Sequence, residues 1–128
     1  MTQPATRHIL IVEDVDEMRE LLKQAVTMGT QMVVSGTARN SWEARLELDR
    51  RRPDLVLLDE ILPGESSLDL LKELKTQGIP VLLVTGMENP SHPIPPGAIG
   101  RLIKPSWASL SEAAKSIEEA IRKLSVGS

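Results

Sequence analysis

Residues 55–64 read LVLLDEILPG. Four aliphatic residues, Leu55 to Leu58, run without a break into Asp59 and Glu60, and Pro63-Gly64 then forces a turn. A continuous apolar run of this length is the pattern of a strand buried on both faces, as in a parallel sheet covered by helices. Asp is depleted in strands and is rarely buried without a partner. A carboxylate at the end of such a strand therefore needs a chemical reason.

Outward from this stretch, the chain alternates strand and helix patterns. HILIVE (8–13) reads as a buried strand, and 16–28 carries Met18, Leu21, Leu22, Ala25 and Val26 at helical spacing up to Gly29. MVVSGT (32–37) is a weaker strand. A helix over 41–52 has Asn40 or Ser41 as N-cap and stops before Pro53. After the strand at 54–59, Ser66 and Asp69 resemble a capping box for a helix over 67–77, which Gly78 ends. PVLLVT (80–85) and GRLI (100–103) are the fourth and fifth strands. A last helix over 109–124 aligns Leu110, Ala113, Ala114, Ile117, Ile121 and Leu124. This order predicts an α/β fold with a parallel sheet and helices on both faces. No G-x-G-x-x-G follows the first strand and no P-loop motif occurs, so neither a dinucleotide site nor a P-loop is expected.

Composition narrows the function classes. At 128 residues and 41% hydrophobic, the chain suits one soluble domain, 1–128, with its core over about 7–125. The formal net charge of −3 argues against a nucleic-acid footprint. The basic run Arg50-Arg51-Arg52 falls at a helix C-terminus, where cations complement the helix dipole. The absence of cysteine excludes disulfides and thiolate metal sites. MTQPATR has no apolar leader region, and no apolar run approaches the ~18 residues of a membrane span, so a cytoplasmic protein without membrane contact is expected.

In an open parallel sheet, ligands bind beyond the C-terminal ends of the strands, where strand order reverses. Those ends carry Glu13-Asp14, Asp59, Thr85 and Lys104-Pro105. If the first and third strands are neighbours, three carboxylates meet. Two carboxylates about 5 Å apart repel by roughly 3 kcal/mol at an effective dielectric of about 20. Either one of them keeps its proton or a cation sits among them. An all-oxygen site suits Mg²⁺ or Mn²⁺. A carboxylate in such a site can attack phosphorus and give an aspartyl phosphate, with Thr85 bonding the phosphoryl oxygens and Lys104 neutralising their charge. Taken singly, an Asp at a strand end is usually a turn residue, and a Thr there is simply β-favourable. The set of five, each at a strand end on one edge, carries the assignment.

These residues resemble the receiver domain of bacterial response regulators, the chemotaxis-type phosphoacceptor module. The resemblance rests on ILIVEDVDEMRELL, LVLLDEILPGESSLDLLKEL, VLLVTG and GAIGRLIKPS, and covers about residues 7–125. It implies a flavodoxin-like, doubly wound five-stranded sheet in order 2-1-3-4-5. It implies Asp59 as phosphoacceptor, with Thr85 and Lys104 binding the phosphoryl group. Asp14 is implied as a direct Mg²⁺ ligand, Glu13 as one acting through water, and the backbone carbonyl of Ile61 as a further ligand. The implied donor is a phosphohistidine on a sensor histidine kinase or histidine phosphotransfer protein. Self-phosphorylation and slow self-dephosphorylation are then the only enzymatic acts expected. The output partner is not readable from the sequence.

Several positions depart from the family pattern. Ser67 stands where the family usually has glycine, which reads as harmless beside a capping Ser66. Arg101 replaces the usual Tyr or Phe, which points to an electrostatic signal in place of a rotameric one. Ile61 and Met87 are apolar at positions that influence hydrolysis of the phosphoryl group, so a long-lived phosphoryl group is expected. Four prolines, Pro90, Pro93, Pro95 and Pro96, forbid the usual fourth helix over 86–99 and predict an irregular or polyproline-like crossover. Partner or homodimer contacts are then expected on the first or last helix. His8 and His92 read as ordinary surface or strand-edge residues, Trp42 as packing on its helix, and Trp107 as open between packing and partner anchoring. Two other readings compete with the phosphorylated switch. One is a receiver-like interaction module that no longer uses phosphate. The other is a haloacid dehalogenase-type hydrolase, which Ile61 disfavours by interrupting the D-x-D pattern.

Overall fold

The computed structural model describes residues 5–86 and 92–126. The elements run β1 (Arg7–Val12), α1 (Asp16–Met28), β2 (Met32–Ala38), α2 (Ser41–Arg50), β3 (Leu55–Asp59), α3 (Ser67–Thr76), β4 (Val81–Thr85), β5 (Ala98–Ile103) and α4 (Leu110–Val126). The five strands pair in parallel in the order β2-β1-β3-β4-β5, the doubly wound order that the family resemblance implies. Among the described residues, no helix is long and apolar enough to cross a membrane.

Strand parity divides the core into two layers. Ile9, Ile11, Leu55, Leu57, Leu82, Val84 and Leu102 pack with Leu22 and Val26 of α1 and Ala113 and Ile117 of α4. The alternate residues Leu10, Val12, Val56, Leu58, Val81 and Leu83 pack with Ala44 of α2 and Leu70, Leu71 and Leu74 of α3. Leu55 through Leu58 are each fully buried, which explains the unbroken apolar run. Each such side chain contributes roughly 1.5–3 kcal/mol of hydrophobic stabilisation.

Local signals hold in part. The Asn40 side chain accepts the Glu43 N–H at 2.9 Å and starts α2. That helix ends at Arg50, two residues earlier than the sequence suggests, because Arg51 is already extended ahead of Pro53. Gly78, at φ 73°, takes the left-handed turn that leaves α3. The expected capping box at α3 does not form: Ser66 makes no side-chain cap, and the adjacent Ser67 hydroxyl turns inward instead. β5 begins at Ala98, two residues before the predicted start. Trp42, expected to pack on its helix, is exposed, as is Trp107. Of the proline-rich crossover, residues 87–91, including Met87 and Pro90, lie outside the described residues. Residues 92–97 form no helix, and among the described residues none stands between β4 and β5.

Candidate functional site

The parallel register places the acidic residues together. β1 pairs β3 as Ile9↔Leu55 through Val12↔Leu58, so the next residues along, Glu13 and Asp59, leave the sheet side by side. The Glu13 N–H donates to Ala38 O at 2.9 Å, which fixes its backbone at the β1–β2 end. Glu13 is wholly buried, Asp59 nearly so, and Asp14 half-buried. Carboxylate oxygens of Glu13, Asp14 and Asp59 all lie within 4.8 Å of one another.

The neighbours of these oxygens are specific. Glu13 Oε2 accepts the Val15 N–H at 3.1 Å. Glu13 Oε1 lies 3.3 Å from Lys104 Nζ as an ion pair, yet this buried oxygen receives no hydrogen bond. Asp59 Oδ1 accepts the Ile61 N–H at 3.0 Å, and Oδ2 accepts from Lys104 Nζ at 3.3 Å. Burial pushes the Glu13 carboxyl up to about 7; the Val15 N–H opposes this, the Asp59 charge adds to it, and Lys104 opposes it. Burial alone would lower the Lys104 ammonium, but the Asp59 and Glu13 carboxylates outweigh it and raise the group.

Lys104 is held by its own N–H, which donates to Thr85 O at 2.7 Å and so ties the end of β5 to the end of β4. Thr85 closes β4 and is buried. Ile61 meets the cluster through its backbone, while its side chain is 78% exposed and covers nothing. The five residues singled out at strand ends thus share one edge of the sheet.

Two features escaped the sequence reading. The Ser67 hydroxyl donates to the Asp59 carbonyl at 2.8 Å and ties the first residue of α3 to the end of β3. The signal was a small polar residue in place of glycine at a helix start, read as neutral. The second is an ion pair between Glu60 and Arg101, 41 residues apart, with Nε 2.5 Å from Oε1. A cleft of ≈ 540 Å³ between β5 and the start of α4 has Lys104 in its wall but none of the three carboxylates.

Three converging carboxylates, with the buried Glu13 Oε1 left without a hydrogen bond, fit a small hard divalent cation such as Mg²⁺ or Mn²⁺.

A family model for the response regulator receiver domain matches residues 9–117. The phosphate regulon transcriptional regulatory protein PhoB of Pseudomonas aeruginosa is 37% identical over 81 residues, covering 60% of this chain and 34% of that protein. A protein-glutamate methylesterase/protein-glutamine glutaminase of Pyrococcus horikoshii is 31% identical over 119 residues, covering 88% of this chain and 32% of that protein. This chain spans about a third of the length of these two relatives. Among solved structures, the response regulator TrrA of Thermotoga maritima, in complex with Mg²⁺-BeF, matches at a TM-score of 0.72 and 26% identity, covering 89% of this chain and 98% of that one.

Proposed function

Because the chain belongs to the response regulator receiver domain family of two-component signalling, we propose that it is a phosphoacceptor switch that takes a phosphoryl group onto Asp59. The observation that carries this reading is the convergence of Glu13, Asp14, Asp59 and Lys104 at adjacent strand ends, with Glu13 Oε1 buried and lacking a hydrogen bond. An arrangement this costly in repulsion serves no purpose in a purely structural turn.

The donor is a phosphohistidine of a sensor histidine kinase or phosphotransfer protein. An Asp59 carboxylate oxygen attacks phosphorus. The phosphorus–nitrogen bond breaks as the phosphorus–oxygen bond forms, and the imidazole leaves with the electron pair. The Ile61 N–H orients the carboxylate by holding Oδ1. Lys104 stands 3.3 Å from Oδ2, where its ammonium offsets charge on the incoming phosphoryl oxygens. Thr85 supplies a hydroxyl at the same edge. Asp14 as direct ligand, Glu13 through water, Asp59 and the Ile61 carbonyl would hold Mg²⁺ or Mn²⁺, and the Mg²⁺-BeF complex of TrrA supports this reading. The bound cation would supply positive charge that draws the donor's phosphoryl group to the carboxylate.

Intact mass spectrometry after incubation with acetyl phosphate and Mg²⁺ tests the assignment. The wild type is expected to gain one phosphoryl group and Asp59→Asn none. Equal labelling of the two would remove Asp59 from the role.

A further inference from the structure

β5 is an edge strand, and its residues 101 and 103, paired with Leu83 and Thr85, face the side of the sheet that carries α2 and α3. No described helix covers that face at this edge. Ile103 is accordingly 47% exposed, yet the Arg101 side chain beside it is only 11% exposed. The more polar of the two is the better covered, which inverts the usual preference.

The cover comes from three hydrogen bonds. Arg101 Nε donates to Glu60 Oε1 at 2.5 Å, Nη1 to the carbonyl of His92 at 2.8 Å and Nη2 to that of Pro93 at 3.1 Å. Each nitrogen of the guanidinium therefore has an acceptor, and the rigid planar fork spreads its donors over three nitrogens in fixed directions, whereas an ammonium's donors share one nitrogen. Glu60 directly follows Asp59, and its N–H is fixed on Val84 O at 3.0 Å. Asp59 is in turn tied to α3 by the Ser67 hydroxyl. A continuous chain of links thus runs from the acidic site, through Glu60 and Arg101, to the carbonyls of the crossover into β5. The Glu60–Arg101 pair also lines a cleft of ≈ 300 Å³ with Leu68, Leu83 and Pro93.

The geometry points to Arg101 as a latch: it fastens the crossover onto Glu60, so that the hold on the crossover responds to charge placed on Asp59. The response half of this inference rests on the phosphoacceptor reading, whereas the fastening half does not. A phosphoryl group on Asp59 adds negative charge one residue from Glu60 and brings three strong acceptor oxygens. Repulsion of Glu60 and competition for the guanidinium both favour the unfastened crossover. The modified and unmodified sites therefore interact differently with the two arrangements, as any switch requires. Unfastening opens the cleft beside Leu83, which is now buried.

Amide hydrogen exchange read by NMR tests both halves, with the amides of Ala98, bonded to Pro95 O at 3.2 Å, and of the β4-paired residues that follow it in β5 as reporters. Arg101→Met and Glu60→Gln, without phosphodonor, are each expected to exchange there about tenfold faster than wild type, since a charge-assisted bond is lost. Acetyl phosphate with Mg²⁺ is expected to speed exchange at the same amides in wild type. It should leave Arg101→Met unchanged at those amides, although that variant gains the same phosphoryl mass. Wild-type exchange rates in both unmodified variants would overturn the fastening. A full phosphorylation response in Arg101→Met would overturn the latch. If wild type gains no phosphoryl mass, the phosphoacceptor reading fails, and the fastening is judged by the two unmodified variants alone.

Discussion

Glu13→Gln should stabilise the metal-free protein, and the gain should depend on pH. Glu13 is fully buried, and its carboxyl is raised from 4.5 to about 7, chiefly by burial. The difference, 7 − 4.5 = 2.5, corresponds to about 3 kcal/mol at roughly 1.4 kcal/mol per pH unit. Between these two values the folded protein holds a proton that the unfolded chain has released. Fewer protons on the unfolded state means stability falls as pH rises through that window. At pH 8 the full cost of the buried charge is present, and at pH 4.5 most of it is gone. Gln keeps the shape of the protonated acid and carries no charge at either pH. Urea denaturation of wild type and variant in EDTA is therefore expected to show a gap of up to about 3 kcal/mol at pH 8, shrinking towards zero near pH 4.5. At this chain length the gap corresponds to very roughly 10 °C in melting temperature. Mg²⁺ at about 100 times its Kd adds about 3 kcal/mol to the form that binds it. Added Mg²⁺ should thus narrow the gap at pH 8 by favouring wild type. A gap of equal size at both pH values would show that Glu13 is not held as a strained buried carboxyl, and the argument from its burial would fail.

In Mg²⁺ titrations by calorimetry, Asp14→Ala should weaken binding more than Glu13→Ala, because water can replace a ligand that acts through water; the reverse ranking would overturn the inner and outer assignment. Ile61→Asn should shorten the life of the phosphoryl group, because the exposed Ile61 side chain offers nothing to orient an attacking water. Decay of labelled protein after donor removal reads this, and unchanged or slower decay refutes it. Leu57→Ala, at a fully buried position of β3, should cost about 3 kcal/mol in urea denaturation, while Asn40→Ala, which removes only the α2 cap, should cost about 1 kcal/mol.

The central strands were legible because burial on both faces leaves nothing but aliphatics between the turns, as in Leu55 to Leu58 and Val81 to Val84. β5 was less so. At the sheet edge only Leu102 of its six residues is buried, and the apolar run that marks a strand is broken by Gly100 and Arg101. The α3 start was read at the right residue, Ser67 after Ser66, but its side-chain bonding was not, because Ser66 and Ser67 are chemically equivalent as hydroxyl donors. Only the third dimension shows that Ser67 faces the Asp59 carbonyl. Trp42 was misplaced because α2 offers the core only Ala44 as a fully buried residue, too narrow a face to cover an indole.

The site itself divides along the same line. Its strand-end residues could be read because a parallel sheet delivers the ends of its strands to one edge whatever the loops do. Their adjacency could not be read locally, since it depends on register. Ile9↔Leu55 through Val12↔Leu58 keeps a constant offset, and continuing it by one step brings Glu13 beside Asp59. The same parity puts Glu60 on the opposite face, with Leu58, where Arg101 meets it. A slip of one residue would exchange these two carboxylates between faces and leave Lys104 without its partner on Asp59. The alternating halves of the core, Leu55 and Leu57 against α1 and α4, Val56 and Leu58 against α2 and α3, oppose such a slip. The aliphatic run that decided the fold therefore also decides which of Asp59 and Glu60 faces the acidic pocket and which faces the crossover.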